Sequence, residues 1–259
     1  MTSQLLRPDN YARHTLERYT GSSVKEFGSY ILLCNFNRYI DDFARFTGNE
    51  IKRGHWSAVH DRERNISIIN HGVGSPSAGI VMHCLSFLDE IKCVLMLGMC
   101  GGIDDDLEIG DIIVPTASIR DEGTSRHYLP KDVPALPSIH LNRLCEQVIT
   151  SELKMVPKSG ILMTTDYRMW EFDDEFIEYI QRHRIMAIDM EIATLFAVGY
   201  AHNVPTGAMM LVSDLPLKKG GIKSKDSAEE VFLTYTQEHL QMGLKVMESA
   251  SQNQKSPLG

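Results

Sequence analysis

Several patterns are missing from this sequence, and each absence excludes a class of protein. The five cysteines in 259 residues are widely spaced and lie mainly among apolar residues, which argues against a disulfide or zinc framework and predicts reduced, buried thiols. No apolar run approaches the roughly 18 residues of a membrane span, and residues 1–10 are polar. The sequence therefore predicts a cytoplasmic protein that has no membrane partner.

Basic residues are outnumbered by acidic ones. The chain has 26 Lys and Arg residues against 34 Asp and Glu residues, for a formal charge of −8. Nucleic acids and anionic membranes are bound through dense fields of Lys and Arg, so this balance disfavours both but allows a local basic pocket for one small anion. The ten histidines include no His-Glu-x-x-His or comparable cluster, so no metal is expected.

What the sequence does contain is an alternation of short apolar runs with stretches of helical period. Strands are predicted at 30–34, 66–69, 93–97, 112–114, 185–188 and 208–212, and helices around 80–88, 141–149, 176–180 and 225–249. This alternation predicts a single α/β domain with a mixed central sheet flanked by helices. Three prolines exclude a continuous helix at 121–137 and predict a long loop there, which is either a functional loop, a connector or a subunit contact. Residues 251–259 are expected to form a disordered tail.

Two glycine-rich turns follow predicted strands, at 70–79 (NHGVGSPSAG) and 97–102 (LGMCGG). Glycine lets the backbone approach a ligand closely, and N–H groups at a helix start favour an anion, so Gly74 and Gly98 are candidates for phosphate binding. A tight turn without a ligand would use similar residues. Neither turn has the spacing of a dinucleotide fingerprint or a Walker P-loop, which disfavours NAD and ATP, and no cofactor is expected.

Two acidic residues follow later strands. Glu191, at a predicted helix start, either complements the helix dipole or accepts hydrogen bonds from a vicinal diol such as ribose, with Met190 as the apolar surface beneath the sugar. Asp214, within 212–216 (VSDLP), is either a turn residue or, if it is buried in a pocket, a general acid near neutral pH. Each motif alone has low specificity.

In this order and at this spacing, the four motifs resemble the nucleoside phosphorylase and nucleosidase superfamily over roughly residues 28–247. Within that group, 164–171 (TTDYRMWE) looks like a stretch of the AMP nucleosidases, and 37–43, 212–217 and 238–243 are also similar to them. The resemblance implies one phosphorylase-like catalytic domain over 1–259, a homohexamer, and a role in nucleotide metabolism and purine salvage. The extra N-terminal domain of some AMP nucleosidases is expected to be absent, because few residues precede the first predicted strand.

The resemblance also implies roles for individual residues. Asp214 is the residue that protonates N7 of the purine, and Met190 and Glu191 bind the ribose. Arg38 and Arg53 match the anion site of related hexameric phosphorylases, where the second arginine belongs to a neighbouring subunit. They would face either the 5′-phosphate of the substrate or a separate regulatory phosphate.

Contacts with the purine base are expected from residues in the stretches 164–171 and 212–217. Ser213 is a base-binding candidate beside the general acid. Tyr167 and Trp170 are candidates for contact with the adenine face, or else belong to the core. Lys223 is either a loop ligand or an exposed lysine.

The sequence departs from the purine phosphorylases at Met96 and Met99. In those enzymes the corresponding residues are an Arg and a Ser that hold the phosphate nucleophile. Losing these charge-assisted hydrogen bonds, each worth about 1.5–3 kcal/mol, favours water as the nucleophile. The predicted reaction is therefore hydrolysis of AMP to adenine and ribose 5-phosphate. The alternatives are a purine nucleoside phosphorylase, a nucleosidase for adenosine or methylthioadenosine, and a silent nucleotide-binding regulatory protein.

Overall fold

Among residues 8–154, 156–221 and 225–253, which the computed structural model describes (225–228 as backbone only), nine strands form one mixed sheet. The strands are β1 (Tyr30–Cys34), β2 (Lys52–Arg53), β3 (Ser57–Asp61), β4 (Ile66–Asn70), β5 (Cys93–Gly102), β6 (Ile112–Asp121), β7 (Lys158–Thr165), β8 (Ala187–Asp189) and β9 (Thr206–Asp214). The helices in the same ranges are α1 (Pro8–Thr20), α2 (Asn37–Thr47), α3 (Ser75–Leu85), α4 (Ile139–Leu153), α5 (Asp174–Arg182), α6 (Ile192–Ala201), α7 (Lys225–Thr234) and α8 (Thr236–Gln252).

The sheet runs in the order β2-β3-β4-β1-β5-β8-β7-β6-β9, and β9 also pairs with β5. Strands β5 to β9 therefore form a closed ring, in which β5 is parallel to β9 and antiparallel to β8. Every residue of β1 and of β9 is buried, as expected for strands covered on both faces. The predicted α/β fold with a mixed, helix-flanked sheet is confirmed.

The two faces of the sheet build separate apolar clusters. Because side chains alternate along a strand, Ile31 and Leu33 of β1 pack on one face with residues of α3 and α6. Leu32 and Cys34 pack on the other face with residues of α2, α4 and α8. This two-sided core fixes β1 and β5 rigidly in the middle of the sheet, so their carboxyl ends are fixed as well.

A bulge at one edge of the β5–β9 pairing shapes the end of the sheet. Cys100 lies opposite Val212, whereas Gly101 lies opposite Asp214, so Ser213 is the extra residue. A bulge bends its strand and redirects the side chains beside it. Here it sets the orientation of Ser213 and Asp214, the last two residues of β9.

Two sequence predictions near the carboxyl end were wrong in detail. The single helix predicted at 225–249 is divided into α7 and α8 at Tyr235, which is the N-cap of α8. The Tyr235 ring packs so closely on Gly110 that a Cβ there would lie 2.5 Å from it. Ser251 and Gln252, predicted as disordered tail, are the last residues of α8, and 254–259 lie outside the described residues.

The proline-rich segment after β6 is folded around Arg120. The guanidinium of Arg120 donates hydrogen bonds to the carbonyl oxygens of Leu129, Pro130 and Val133, at 2.6 to 2.9 Å. A 3-10 turn at Thr124–His127 follows, and Ser125 within it accepts from the same side chain. The predicted loop is therefore an ordered structure with its own internal hydrogen bonds.

All five cysteines are buried thiols that are not joined in disulfides, as predicted. No helix within the described ranges combines the length and the apolar character needed to cross a bilayer. No group of three or more His, Cys, Asp or Glu side chains in those ranges is arranged to hold a metal ion.

Three histidines are buried within the fold. His60 contacts the hydroxyls of Ser22 and Ser67, and His239 lies between the Tyr39 hydroxyl and a carbonyl oxygen. Neither ring nitrogen of His71 has a hydrogen-bond partner among the described residues. Burial lowers the pKa of each imidazole from 6.5 to about 4. The folded protein therefore holds all three rings neutral at neutral pH.

The buried His239 predicts a loss of stability in acid. An unfolded histidine binds a proton below about pH 6.5 and the folded one only near pH 4, so stability falls as pH decreases between these values. For His239 alone the loss between pH 7 and pH 5 is about 2 kcal/mol. Urea unfolding at both pH values should show a loss smaller by this amount in His239→Gln. Equal losses in the two proteins would contradict a neutral buried imidazole.

Candidate functional site

The carboxyl ends of β1, β5, β7, β8 and β9 open onto one cavity of about 320 Å³. This volume lies in the range of small-molecule sites. Apolar side chains form much of its wall, and the polar groups on it come from strand ends that are distant in sequence. Six of the sequence-predicted residues line it: Tyr167, Trp170, Met190, Glu191, Ser213 and Asp214.

Asp214 lies at one end of the cavity, directly after the bulge. It is 8% exposed, and the Ser213 hydroxyl lies 2.6 Å from its Oδ1 and 3.3 Å from the Cys100 carbonyl oxygen. A hydroxyl donates once and also accepts, so Ser213 can donate to the ionised carboxylate, or donate to Cys100 and accept from the protonated carboxyl. This arrangement can serve both protonation states of Asp214, as a general acid requires.

Glu191 lies at the start of α6, where its side chain is almost fully buried. Its Oε1 accepts a hydrogen bond from the Gly74 N–H at 2.7 Å, and its Oε2 accepts one from Asn35 Nδ2 at 3.4 Å. The Ser75 hydroxyl donates to the carbonyl oxygen of Met190 at 2.8 Å. A carboxylate has about four acceptor positions, so Glu191 retains capacity for two further donors such as the hydroxyls of a sugar.

Asp189 lies beneath Glu191, at the end of β8, and was not singled out from the sequence. It accepts hydrogen bonds from Thr164 Oγ1 at 2.6 Å and from the N–H groups of Glu191 and Ile192 at 2.8 and 2.7 Å. The N–H of Ala193 donates to the same threonine. Asp189 therefore satisfies N–H groups at the start of α6 and fixes the orientation of the segment that carries Glu191.

The two carboxyls compete for ionisation. Burial raises the pKa of both, and the charge of Asp189 raises that of Glu191 further. Asp189 accepts three short hydrogen bonds that favour its charged form, so Glu191 is the member of the pair that holds a proton more readily. A ligand that donates hydroxyl groups to Glu191 would shift it towards the ionised form.

The segment after β7 supplies an ion pair and two aromatic side chains. The Arg168 guanidinium contacts both carboxylate oxygens of Glu171 at 2.7 Å, and both residues line the cavity. Trp170 is buried in an apolar cluster and also reaches the cavity, whereas Tyr167 is 44% exposed. Trp170 is therefore a core residue that also forms part of the cavity wall.

The predicted phosphate ligands lie elsewhere. Arg38 pairs with Asp42 at 2.9 Å on α2, Arg53 pairs with Asp41 at 3.5 Å, and neither lines the cavity. Gly98 is covered by the Met210 side chain, which lies 2.7 Å from where a Cβ would be.

The first glycine-rich turn meets the cavity through Val73, and the Gly74 N–H is directed at Glu191. Gly74 has a φ of +103°, which requires glycine. Lys223 lies outside the described residues. The second turn contributes Met99, while Met96 is part of the core.

The chain resembles known proteins in sequence. Residues 30–246 match the profile of the Phosphorylase superfamily. The AMP nucleosidase of Escherichia coli (strain K12) is 30% identical over 280 aligned residues, covering 90% of this chain and 57% of that protein. The chain thus spans little more than half of that relative. The guanosine phosphorylase of Halorubrum lacusprofundi is 31% identical over 167 residues, covering 64% of this chain and 68% of the relative.

The fold also matches solved structures. The crystal structure of AMP nucleosidase from Bacteroides thetaiotaomicron has a TM-score of 0.84 and 32% sequence identity, with 96% of this chain and 100% of that one covered. Uridine phosphorylase from Vibrio fischeri has a TM-score of 0.75 at 19% identity, covering 86% of this chain and 93% of that one. At that identity the second likeness concerns the fold alone.

Proposed function

The chain belongs to the phosphorylase superfamily, and from this premise we propose that it hydrolyses the N-glycosidic bond of AMP to adenine and ribose 5-phosphate. The observation that carries the proposal is that Asp214 and Glu191, both buried, line one cavity of nucleoside size. Two AMP nucleosidases resemble this chain over most of its length, which supports AMP as the proposed substrate.

In the proposed reaction, the bond between C1′ and N9 breaks and its electron pair moves to the base. Asp214 transfers its proton to N7, so adenine leaves as a neutral molecule. Positive charge develops on the sugar, and the Glu191 carboxylate stabilises it while holding the ribose hydroxyls. Water bonds to C1′ and releases one proton, which restores the protonated Asp214 through solvent.

Water is favoured over inorganic phosphate as the nucleophile because the second glycine-rich turn, at 97–102, has no charged or hydroxyl side chain to bind an anion. Met99 lines the cavity where purine phosphorylases are expected to have a serine, and Met96 is buried in the core. Thioether side chains accept only weak hydrogen bonds and carry no charge. A purine nucleoside phosphorylase would lack its phosphate contacts at these two positions.

The 5′-phosphate requires a cationic partner. We retain Arg38 and Arg53 as proposed ligands, the second acting from a neighbouring subunit of a homohexamer. Within the part of the chain that the structure describes, Arg168 is the one Lys or Arg side chain on the cavity wall, which makes it a third candidate. The five thiols form no disulfide, which fits a reducing compartment, and we propose a cytoplasmic location.

Assays of adenine release from AMP and from adenosine test the function directly. We expect AMP to be cleaved with the higher kcat/KM, and ribose 5-phosphate to remain the sugar product when inorganic phosphate is added. If Arg38, Arg53 or Arg168 binds the phosphate, its replacement by glutamine should lower kcat/KM for AMP by about tenfold or more. The same replacement should leave kcat/KM for adenosine unchanged. Ribose 1,5-bisphosphate as product would identify a phosphorylase instead.

A further inference from the structure

Glu191 is held by donors that come from two other segments of the chain. The Gly74 N–H, at the start of α3, bonds Oε1, and the Asn35 side chain, after β1, bonds Oε2. The first distance, 2.7 Å, is that of a short hydrogen bond, and the second, 3.4 Å, is that of a longer and weaker one. The first glycine-rich turn therefore supports the proposed ribose acceptor, and its Gly74 N–H is directed at a carboxylate of the protein.

Asn35 is the side chain among the described residues that donates a hydrogen bond to Glu191. It follows β1, which is fixed between β4 and β5, and it is 8% exposed on the cavity wall. Because a carboxylate only accepts, the amide nitrogen must face Glu191. The amide oxygen is then buried with no hydrogen bond from the described residues. The orientation of Asn35 is therefore set by the hydrogen bond that its amide nitrogen donates to Glu191.

Among the described residues, Glu191 forms no ion pair with a Lys or Arg side chain. The charged groups that share the cavity with it are the carboxyls of Asp189, Asp214 and Glu171 and the Arg168 guanidinium, which pairs with Glu171. On the neighbouring strand ends, burial raises the pKa of the Cys34 thiol and lowers that of His71, so both are neutral. Neutral donors are therefore the groups that offset the burial of a negative charge at Glu191.

We propose that Asn35 is a positioning residue that holds Glu191 ionised and oriented for the sugar hydroxyls. This inference rests on the proposed function, because it assigns Glu191 to the ribose. Asn35 favours the charged form of Glu191, since a carboxylate accepts a hydrogen bond more strongly than a protonated carboxyl does. The contribution of Asn35 should therefore vary with pH, unlike that of a residue that only fills space.

The pH dependence of kcat/KM tests this proposal in Asn35→Leu, which keeps the branched shape of the side chain and removes the donor. Activity requires ionised Glu191, so the acid limb of the profile should move up by about one pH unit, with a loss of about tenfold below the limb and little loss on the plateau. Asn35→Asp, which has nearly the same shape, should move the limb further in the same direction. A profile of Asn35→Leu that differs from wild type by a constant factor would overturn the proposal.

Asn142 offers a matched control outside the cavity. Its Nδ2 donates to the Pro115 carbonyl at 2.7 Å, and its buried Oδ1 has no partner among the described residues, as at Asn35. Asn142→Leu should leave the acid limb of the pH profile unmoved. If it moved the limb as far as Asn35→Leu does, the shift would reflect general destabilisation and the proposal would be wrong.

Unfolding measurements separate this inference from the proposed function. Asn35→Leu should increase the equilibrium constant for unfolding, and this increase should become about tenfold larger as pH rises through the titration of Glu191. The growth of the effect with pH should disappear in a Glu191→Gln background. The result does not depend on which substrate is cleaved. Failure to cleave AMP would reject the proposed function, whereas growth that persists without Glu191 would reject the role of Asn35.

Discussion

Replacing Asp214 by asparagine is expected to reduce kcat for AMP by about 10²- to 10⁴-fold, the range for removal of a general acid. Asparagine has nearly the same shape as aspartate and can hydrogen-bond Ser213, but its amide cannot transfer a proton to N7 at neutral pH. Adenine would then have to leave without protonation. Steady-state kinetics at saturating AMP measure the loss, and the thermal midpoint should stay within a few degrees of wild type.

Ser213→Ala is the matched variant for this experiment. It retains the carboxyl of Asp214 and removes the hydroxyl 2.6 Å from Oδ1. One neutral hydrogen bond contributes about 0.5–1.5 kcal/mol, so the expected loss in kcat is roughly tenfold or less. Near wild-type activity in Asp214→Asn would remove Asp214 from catalysis, whatever the serine variant shows.

The bulge explains why the sequence predicted Asp214 and yet could not predict its geometry. An acid that follows an apolar strand is visible in the sequence. The pairing of Gly101 with Asp214 depends on a register shift between two strands that are distant along the chain. Sequence periodicity contains no information on that shift, so the hydrogen bonds of Ser213 and the burial of Asp214 required the structure.

Prediction of the secondary elements depended on how each one is buried. Strand β1 was predicted with its observed bounds because all its residues are apolar and buried. The start of helix α6 was predicted at Glu191, but its extent was not, because its first eight residues are all buried and leave no polar face to show a helical period. Strand β7 was missed because its first half is partly exposed and polar. Patterning finds a short apolar strand that is buried on both faces, and it fails for a strand whose environment changes along its length and for a helix that has no polar face.

The same limit applies to the support of the site. The residue pairs Asn35 with Glu191 and Thr164 with Asp189 are formed by strand ends that the sheet order brings together. Asn35 and Glu191 are separated by 156 positions. Conversely, Arg38 was expected at an anion site, but the i,i+4 spacing on α2 places it against Asp42. Single residue types predicted the chemistry, and only the fold identified the partners.

Replacing Glu191 by glutamine is expected to lower kcat/KM by about 10²- to 10³-fold, since charge-assisted hydrogen bonds to the ribose are worth about 1.5–3 kcal/mol each. Glutamine keeps the volume but loses the negative charge that stabilises the developing positive charge on the sugar. It also changes the acceptor facing Asn35 into an amide, so both the binding and the chemical step should be weakened. Kinetics with AMP at a fixed pH measure the loss.

Glu191→Gln should lower activity, but it should raise the stability of the protein relative to wild type as pH increases. Burial raises the pKa of Glu191 in the folded protein. A carboxyl with a raised folded-state pKa contributes stability at low pH that is lost as pH rises through that pKa. Glu191→Gln cannot lose it, so its free energy of unfolding should rise relative to wild type from about pH 5 to about pH 9.

Glu146→Gln, which is outside the cavity, serves as the control and should change neither activity nor this pH dependence. Parallel stability curves for wild type and Glu191→Gln would contradict a buried, proton-holding carboxyl. Retained activity in Glu191→Gln would remove Glu191 from the sugar. If both expected results are obtained, the protein gives up stability at neutral and alkaline pH to keep an ionisable acceptor in the cavity, as is common where a buried charge serves function.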